Sequence, residues 1–465
     1  MERAPVVRIG WQTWGRRLAG ASCRKILRAD SGSVVVVAGC RLVLTPGHML
    51  PVVARILALL SGTVLLLLGV GLLNTLLVLR GAYEGFSDGL LGLMGSSYFA
   101  GFLVGTLWVP GLIRRIGHIR AFAFFTAAVT AAVLGHLMFV DAYVWIALRV
   151  IAGAAIVGLY IVIESWLSSH AGASLRGRVF AIYMVCNLGA LAAAQQLLAI
   201  DAPSGYLLFV LSATLVCMAA MPVSATRLAP PEQSGGERMS LRGCYRKAPV
   251  AVVAGVLSGL AMGAFWSLGA VYVGRLGASE TVAADFMTAT ILGGVALQWP
   301  IGHFSDGSDR RRALVAVALV TAVASAAMLL VGAQYWAMLA AAFAFGGVAF
   351  SLYPIAVAHL VDHLHADEIL GASATLLLFH GAGAAIGPMI AGALMAHLGP
   401  LALPIHFMVM ALLLAGIAFW HTRQRVDVIV DEPAVFVPMV RTSPGALDMM
   451  AAEQAHAATT EHHTT

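Results

Sequence analysis

Charged and titratable side chains are scarce inside the apolar runs of this chain, so the few that occur there are the first candidates for chemistry. Arg149 stands seven positions into a run that begins near residue 142. A guanidinium at that depth is costly in lipid and normally faces a bundle interior or a water-filled path. It can attract an anionic substrate, or it can act as a structural hydrogen-bond hub between helices. Glu164 follows fifteen residues later, on nearly the same helical face, because fifteen steps leave only about 60° of rotation. There it opposes the helix dipole and needs a cation, with Arg176 and Arg178 of the next connection as candidates; it reads as a structural latch or as a proton carrier. His380 lies near the centre of a later run. Imidazole titrates near neutrality, so His380 is either a proton-carrying group or a packed hydrogen-bonding side chain.

A second chemical grouping falls on a short connection. Asp306 precedes Arg310 and Arg311 across a turn, and a carboxylate facing arginines there can pair in one arrangement of the protein and separate in another, as a gate latch. The alternative is that Arg310 to Arg312 only anchor the loop on the positive side of a membrane. Uncharged groups at similar depth are Asn74, Ser97, Asn187, Gln195, Trp266, Gln298 and Tyr353; some will line a cavity and others join helices by hydrogen bonds. His359, His363, His365, Asp367 and Glu368 are spaced as metal ligands can be, yet they also suit a solvated polar loop, and no metal site is expected. Neither an HExxH pair nor a phosphate-binding GxxxxGK[ST] loop occurs. No enzyme activity and no cofactor are therefore expected.

The elements that must hold these groups follow from composition. The chain has 60% hydrophobic and 11% charged residues and a mean hydropathy of +0.89, too little polar surface to coat a soluble fold. Twelve apolar runs are each long enough to cross a bilayer as a helix. They fall near 56–79, 88–113, 121–140, 142–167, 179–200, 205–226, 250–273, 282–303, 313–332, 335–359, 371–396 and 400–420. Hydrocarbon leaves no free backbone satisfied, and runs of this length exclude barrel strands. The expected fold is an all-α polytopic membrane protein.

All but three of the 28 Lys and Arg residues fall on alternate connections; the exceptions are Arg80, Arg275 and the intramembrane Arg149. That asymmetry orients the chain with both termini in the cytoplasm, and the net charge of +6 suits anionic headgroups rather than nucleic acid. With only Lys25 and Lys247 as lysines, composition fits a GC-rich bacterial genome and hence an inner membrane. The cysteines, Cys23, Cys40, Cys186, Cys217 and Cys244, form no CxxC pair or regular framework and read as reduced structural residues. Residues 1–55 carry nine basic residues and read as an over-long start preceding initiation near Met49, or as a disordered basic arm on the lipid face. Residues 227–249 read as a cytoplasmic linker and residues 421–465 as a disordered tail. Tyr143, Trp145, Tyr335 and Trp336 are expected at the outer interface, as an aromatic belt.

The chain repeats itself. At an offset of 192 residues Gly71 meets Gly263, Gly101 meets Gly293, Arg120 meets Arg312 and Tyr143 meets Tyr335; after a drift to 194, Gly177 meets Gly371 and Gly189 meets Gly383. The same offset sets Asn74 against Trp266, and Arg149 against alanine near residue 341. Six helices return each copy to its starting side, so residues 56–226 and 250–420 are expected as two six-helix bundles in a parallel repeat, with a substrate site between them near the midplane. Gly383, Gly387 and Gly392 around Pro388 are expected to permit close packing and a kink.

Specific motifs carry a family resemblance. The stretch Gly302-His-Phe-Ser-Asp306-Gly-Ser-Asp309-Arg310-Arg311-Arg312 resembles the G-x-x-x-D-x-x-G-R-R loop of the major facilitator superfamily. The equivalent loop, Arg114-Arg115-Ile116-Gly117-His118-Ile119-Arg120, keeps the glycine and basic residues, with Arg114 where the motif has its Asp. Arg149 to Gly153 is similar to the family's R-x-x-x-G pattern. The Ser96 run SSYFAGFLVGTL, LNTL from Leu73, Glu164-Ser165, RGR from Arg176, QWPIG from Gln298 and LYPIAVA from Leu352 resemble the YcaD-like branch. The resemblance implies a major facilitator fold and a monomeric secondary transporter working by alternating access. From this, together with the readings of depth and charge above, Asp306, Arg310, Arg311, Glu164, Arg176, Arg178, Arg115 and Gly117 are expected at a cytoplasmic gate, and Arg149, Asn74, Gln195, Trp266, Tyr353 and His380 on the substrate or proton path. Arg149 resembles antiporter-type arginines, which favours proton-coupled efflux of a small organic compound. Metabolite uptake by symport and a transporter-like membrane sensor are the alternatives.

Overall fold

The structure is a computed structural model that describes residues 46–170, 176–225, 239–365, 368–424 and Phe436. Residues 58–465 form one compact unit; of the other, residues 1–57, only the backbone from Pro46 and the last side chains are described. All regular structure among the described residues is helical: α1 (Pro46–Tyr83), α2 (Asp88–Ile116), α3 (His118–Met138), α4 (Ala142–His170), α5 (Arg176–Gln196), α6 (Leu207–Ala225), α7 (Leu241–Lys247), α8 (Pro249–Arg275), α9 (Glu280–Asp306), α10 (Arg310–Val331), α11 (Tyr335–Val361), α12 (Ile369–Leu398) and α13 (Ala402–Gln424). Twelve of them are long and apolar enough to cross a membrane, and each coincides with one of the expected spans. The thirteenth, α7, lies in the stretch expected to link the halves. Ser240 caps it by accepting from the Gly243 amide, and the Lys247 ammonium pairs with Glu368 at the start of α12. Residues 226–238 and most of the expected tail lie outside the described residues.

Turn chemistry sets the helix ends. Gly117 takes a positive φ of 83° between α2 and α3, a conformation that a side chain strains. Asp309 caps α10 by accepting from the Arg311 and Arg312 amides at 2.9 and 3.3 Å. On the outer faces Val323, Leu330, Trp299 and Trp336 are exposed, which suits hydrocarbon rather than water. Tyr143 and Trp336 are open, as a belt requires. Trp145 is not a belt residue, because it is fully buried. Its indole N–H donates to the Phe139 carbonyl at 2.5 Å, and its ring meets Phe86 and His136. Nearness to Tyr143 suggested the interface, but two residues along a helix turn the side chain by about 200°, onto the opposite face.

The repeat is visible as a duplicated helix crossing. A Cβ built on Gly101 would lie 2.1 Å from the Val150 carbonyl oxygen, and one on Gly153 would lie 2.0 Å from that of Tyr98. The second half reproduces both contacts, Gly293 against Phe343 O at 1.9 Å and Gly346 against Thr290 O at 1.9 Å. Each residue of the first set maps onto its partner in the second at the 192 to 193 residue offset. Small residues let backbones approach this closely, and in a membrane such packing holds helices together. The expected close packing of α12 is also present. Cβ atoms on Gly383 and Gly387 would meet the Val256 and Leu260 carbonyls of α8 at 2.2 and 2.1 Å.

Candidate functional site

Gly153 and Arg149 lie one turn apart, and the α2–α4 crossing explains why they occur together. Because Gly153 allows α4 to rest on the Tyr98 backbone, Arg149 reaches the ring of the same tyrosine, with its guanidinium carbon 4.3 Å from the ring centroid. Its Nη1 donates to Asn74 Oδ1 on α1 at 2.6 Å. The guanidinium is buried, so α1, α2 and α4 are joined through one charge. Next to it, Thr75 donates to Gln195 Oε1 on α5 at 2.7 Å. Of the six residues expected on the substrate or proton path, Arg149 and Asn74 thus bond directly, and Gln195 ties α5 to the adjoining turn of α1. Tyr98, the partner missed by sequence reasoning, looked like one more apolar-run aromatic.

The other three, Trp266, Tyr353 and His380, meet in a cavity. It is a partly open cleft of about 840 Å³, the space continuous with its mouth included, walled by α2, α8, α11 and α12, near the middle of each helix. Phe99, Phe102, Trp266 and Phe350 give it an aromatic lining, and among the described residues no Asp, Glu, Lys or Arg lines it. The Tyr353 and His380 rings lie 4.4 Å apart. His380 Nδ1 is 3.2 Å from both Ser258 Oγ and the Gly255 carbonyl. The buried Tyr353 hydroxyl has no hydrogen-bond partner among the described residues. Tyr98 belongs to the same wall, so the Arg149 node and the cavity share one side chain.

Contacts between the halves gather at the end of the bundle that bears the α1–α2 and α8–α9 turns. Arg275 Nε and Nη2 both donate to Asp88 Oδ1, at 3.0 and 2.9 Å. The Met389 amide donates to Ser96 Oγ at 2.9 Å. Cβ atoms on Gly92 and Gly392 would stand 2.3 Å from Pro388 O and 2.5 Å from Asp88 O. Gln196 Nε2 donates to Thr288 Oγ1 at 2.7 Å.

At the opposite end, Arg310 Nη1 pairs with Asp306 Oδ1 at 2.7 Å and Arg310 Nε approaches Asp362 Oδ2 at 3.4 Å. Arg310 and Asp362 are buried, whereas Asp306 is one-third exposed. Asp362, at the end of α11, was missed because the expected span stopped before it. Another unexpected neighbour is Phe436. Its amide donates to Asp306 Oδ1 at 2.9 Å and its ring fills the space where a Gly302 side chain would stand. Arg311 is buried beside this cluster. All these partners belong to the second half of the chain. Glu164 is fully buried and accepts from the Tyr183 hydroxyl at 3.0 Å; the side chains of Arg176 and Arg178, its expected cations, lie outside the described residues. Arg115 is exposed at the end of α2, one residue before the Ile116–Gly117 turn. His359 is buried and its ring contacts that of His363 at 4.6 Å; Asp367 lies outside the described residues.

A family model described as Major Facilitator Superfamily matches residues 251–440. The chain is 30% identical over 346 residues to the uncharacterised MFS-type transporter YcaD of Escherichia fergusonii, covering 74% of this chain and 89% of that protein. It is 30% identical over 344 residues to the protein of the same name from Shigella flexneri, covering 73% and 88%. Among solved structures, the nucleoside transporter NupG superposes with a TM-score of 0.68 at 12% identity, over 80% of this chain and 100% of that one. A bacterial homologue of the human lysosomal transporter Spinster, in an inward-facing and occupied conformation, gives 0.60 at 15% identity, over 82% and 98%.

Proposed function

The chain belongs to the major facilitator superfamily and is a membrane transporter, and on that premise we propose that it exports a small organic compound across a bacterial inner membrane in exchange for protons. The observation that carries this reading is the aromatic cavity at mid-helix depth, walled by both halves of the chain. An apolar lining with few polar groups is the usual form of a site for an organic ligand. The end expected to face outward, from the charge asymmetry, is the end where the halves touch. This arrangement supports an inward-facing state, from which a compound dissolved in the cytoplasm or inner leaflet is loaded.

In this reading α2 and α12 rock about mid-helix, where Gly381 stands beside Leu103, exchanging the outer contacts for contacts between the cytoplasmic ends. Arg149 keeps α1, α2 and α4 registered against Tyr98, so movement at the cavity wall is felt by the intramembrane charge. His380 is the proton-carrying group in this reading, since an imidazole can take up and release a proton and this one touches Ser258, the Gly255 carbonyl and Tyr353. Asp306, Arg310 and Asp362 hold the cytoplasmic ends of α9, α10 and α11 together as one gate element, with Arg311, Glu164, Arg115, Gly117, Arg176 and Arg178 completing the gate. The protein works as a monomer.

The test is transport in proteoliposomes across a library of small compounds, under pH gradients of both signs. The export reading requires movement of at least one compound against the proton gradient. Movement only together with protons would establish uptake by symport instead. Binding without any movement would favour a sensor.

A further inference from the structure

The charge and shape of the cavity wall narrow the class of compound it can hold, provided that this cavity is the substrate site proposed above. We infer that the substrate is an uncharged, planar aromatic compound bearing a hydrogen-bonding group, and that Tyr353 is the residue that selects for that group.

Three observations combine. Four aromatic rings, of Phe99, Phe102, Trp266 and Phe350, come from α2, α8 and α11 onto one volume of about 840 Å³. Flat side chains converging from different helices offer stacking faces, and a flat apolar ligand gains more from them than a compact polar one. The second observation concerns charge. No carboxylate lines the cavity, and no Asp or Glu lies at that depth in any span. A permanent cation would therefore enter without a counter-charge, which is costly away from water. Aromatic rings can attract cations, but here the Tyr98 face already carries Arg149 at 4.3 Å, so the wall presents a fixed positive charge behind it. The third observation is the Tyr353 hydroxyl, buried and without a hydrogen-bond partner among the described residues. Buried polar groups left unpaired are rare and destabilising. A site whose hydroxyl is completed by the ligand rejects an analogue lacking the matching group far more strongly than a hydrophobic pocket rejects one missing a methylene.

One ring system in three forms tests this. The full chain in nanodiscs is titrated with naphthalene, 2-naphthol and 2-naphthyltrimethylammonium at pH 7, following thermal stabilisation and the quenching of tryptophan fluorescence. The expected order places 2-naphthol at least about tenfold tighter than either other form. Tyr353→Phe is expected to remove that preference over naphthalene and leave naphthalene binding as it was. Trp266→Ala is expected to weaken all forms. Equal or tighter binding of the trimethylammonium compound overturns the inference, as does a preference for 2-naphthol that survives Tyr353→Phe, or no binding by any form. Transport separates this from the broader reading. If proteoliposomes pump the cation under a proton gradient and ignore 2-naphthol, the substrate class is wrong while export stands. If no compound in the library moves, export itself fails.

Discussion

Adding a single methyl group at Gly153 should cost more than almost any other alanine substitution in this chain, for a reason read directly from the α2–α4 crossing. The new Cβ would stand 2.0 Å from the Tyr98 carbonyl oxygen and 2.9 Å from the Phe102 nitrogen. A relaxed carbon to oxygen contact is about 3.3 Å or more, so the helices must part by more than about 1 Å. Both neighbours are backbone atoms of a regular helix, so no side chain can rotate away. Overpacking of this kind costs about 1–3 kcal/mol, occasionally more. Gly346→Ala in the second half meets Thr290 O at 1.9 Å and should destabilise equally. Gly189→Ala is the control, since its Cβ meets nothing within 4 Å and alanine is favoured over glycine in a helix by up to about 1 kcal/mol. The assay is thermal unfolding of the three purified variants in one detergent, followed by transport. Gly153→Ala and Gly346→Ala should melt at matching, lower temperatures, with Gly189→Ala at or above the parent. Gly153→Ala should also lose more transport than its twin, because only the first half carries an arginine on the displaced tyrosine. If the two crossing variants melt no lower than Gly189→Ala, the argument from close backbone approach is refuted.

Three further outcomes are expected. Asp362→Asn takes the buried carboxylate away from the buried Arg310 and should cost about 3 kcal/mol, against at most about 1 for Asp306→Asn at its part-exposed position; equal melting temperatures would contradict this. Arg275→Gln removes both bonds to Asp88, worth about 1 kcal/mol at an exposed site, and should raise the population open at that end up to about fivefold, read as the distance between spin labels placed at the exposed Tyr83 and Glu280. The hydrogen bond from Lys247 holds the Glu368 carboxyl below its ordinary range. A depressed carboxylate stabilises the fold above its unfolded pKa and ceases to do so as pH falls through the folded value. The stability gap between the parent and Lys247→Ala should therefore be present at neutral pH and vanish on acidification, as measured by thermal melts across pH.

Periodicity and charge made the twelve spans legible because hydrocarbon imposes length and polarity on every helix that crosses it. The repeat was legible for a related reason, since glycines at backbone crossings tolerate no replacement and so survive in both copies. Arg149 and Asn74 announced themselves as polar groups at apolar depth, and they bond to each other. Tyr98 did not, because an aromatic residue in an apolar run is indistinguishable from lipid-facing neighbours until the crossing angle sets its face. Trp145 failed in the opposite sense, as an aromatic near a helix end that turned inward. Asp362 was lost to a boundary two residues short of the helix end, and Phe436 to its place in a stretch read as a disordered tail, which gave no sign that its ring would fit the notch at Gly302.

The two ends of the bundle are fastened by different forces, and that difference predicts how solution conditions act on them. Around Gly92, Pro388 and Gly392 the halves meet backbone to backbone, a contact made by dispersion and shape, to which ions in the medium are nearly irrelevant. At the other end the fastening is ionic and lies within the second half, with Arg310 and Asp362 buried and Asp306, Lys247 and Glu368 partly open to the aqueous phase, where salt shortens the reach of each charge to about 10 Å at 0.1 M and about 3 Å at 1 M. Raising ionic strength should thus weaken the exposed Lys247–Glu368 and Arg275–Asp88 pairs and leave the backbone contact around Gly92 and Gly392 intact. A protein built this way keeps the shape-made part of the contact between its halves independent of the electrolyte, while its exposed ion pairs stay responsive to it.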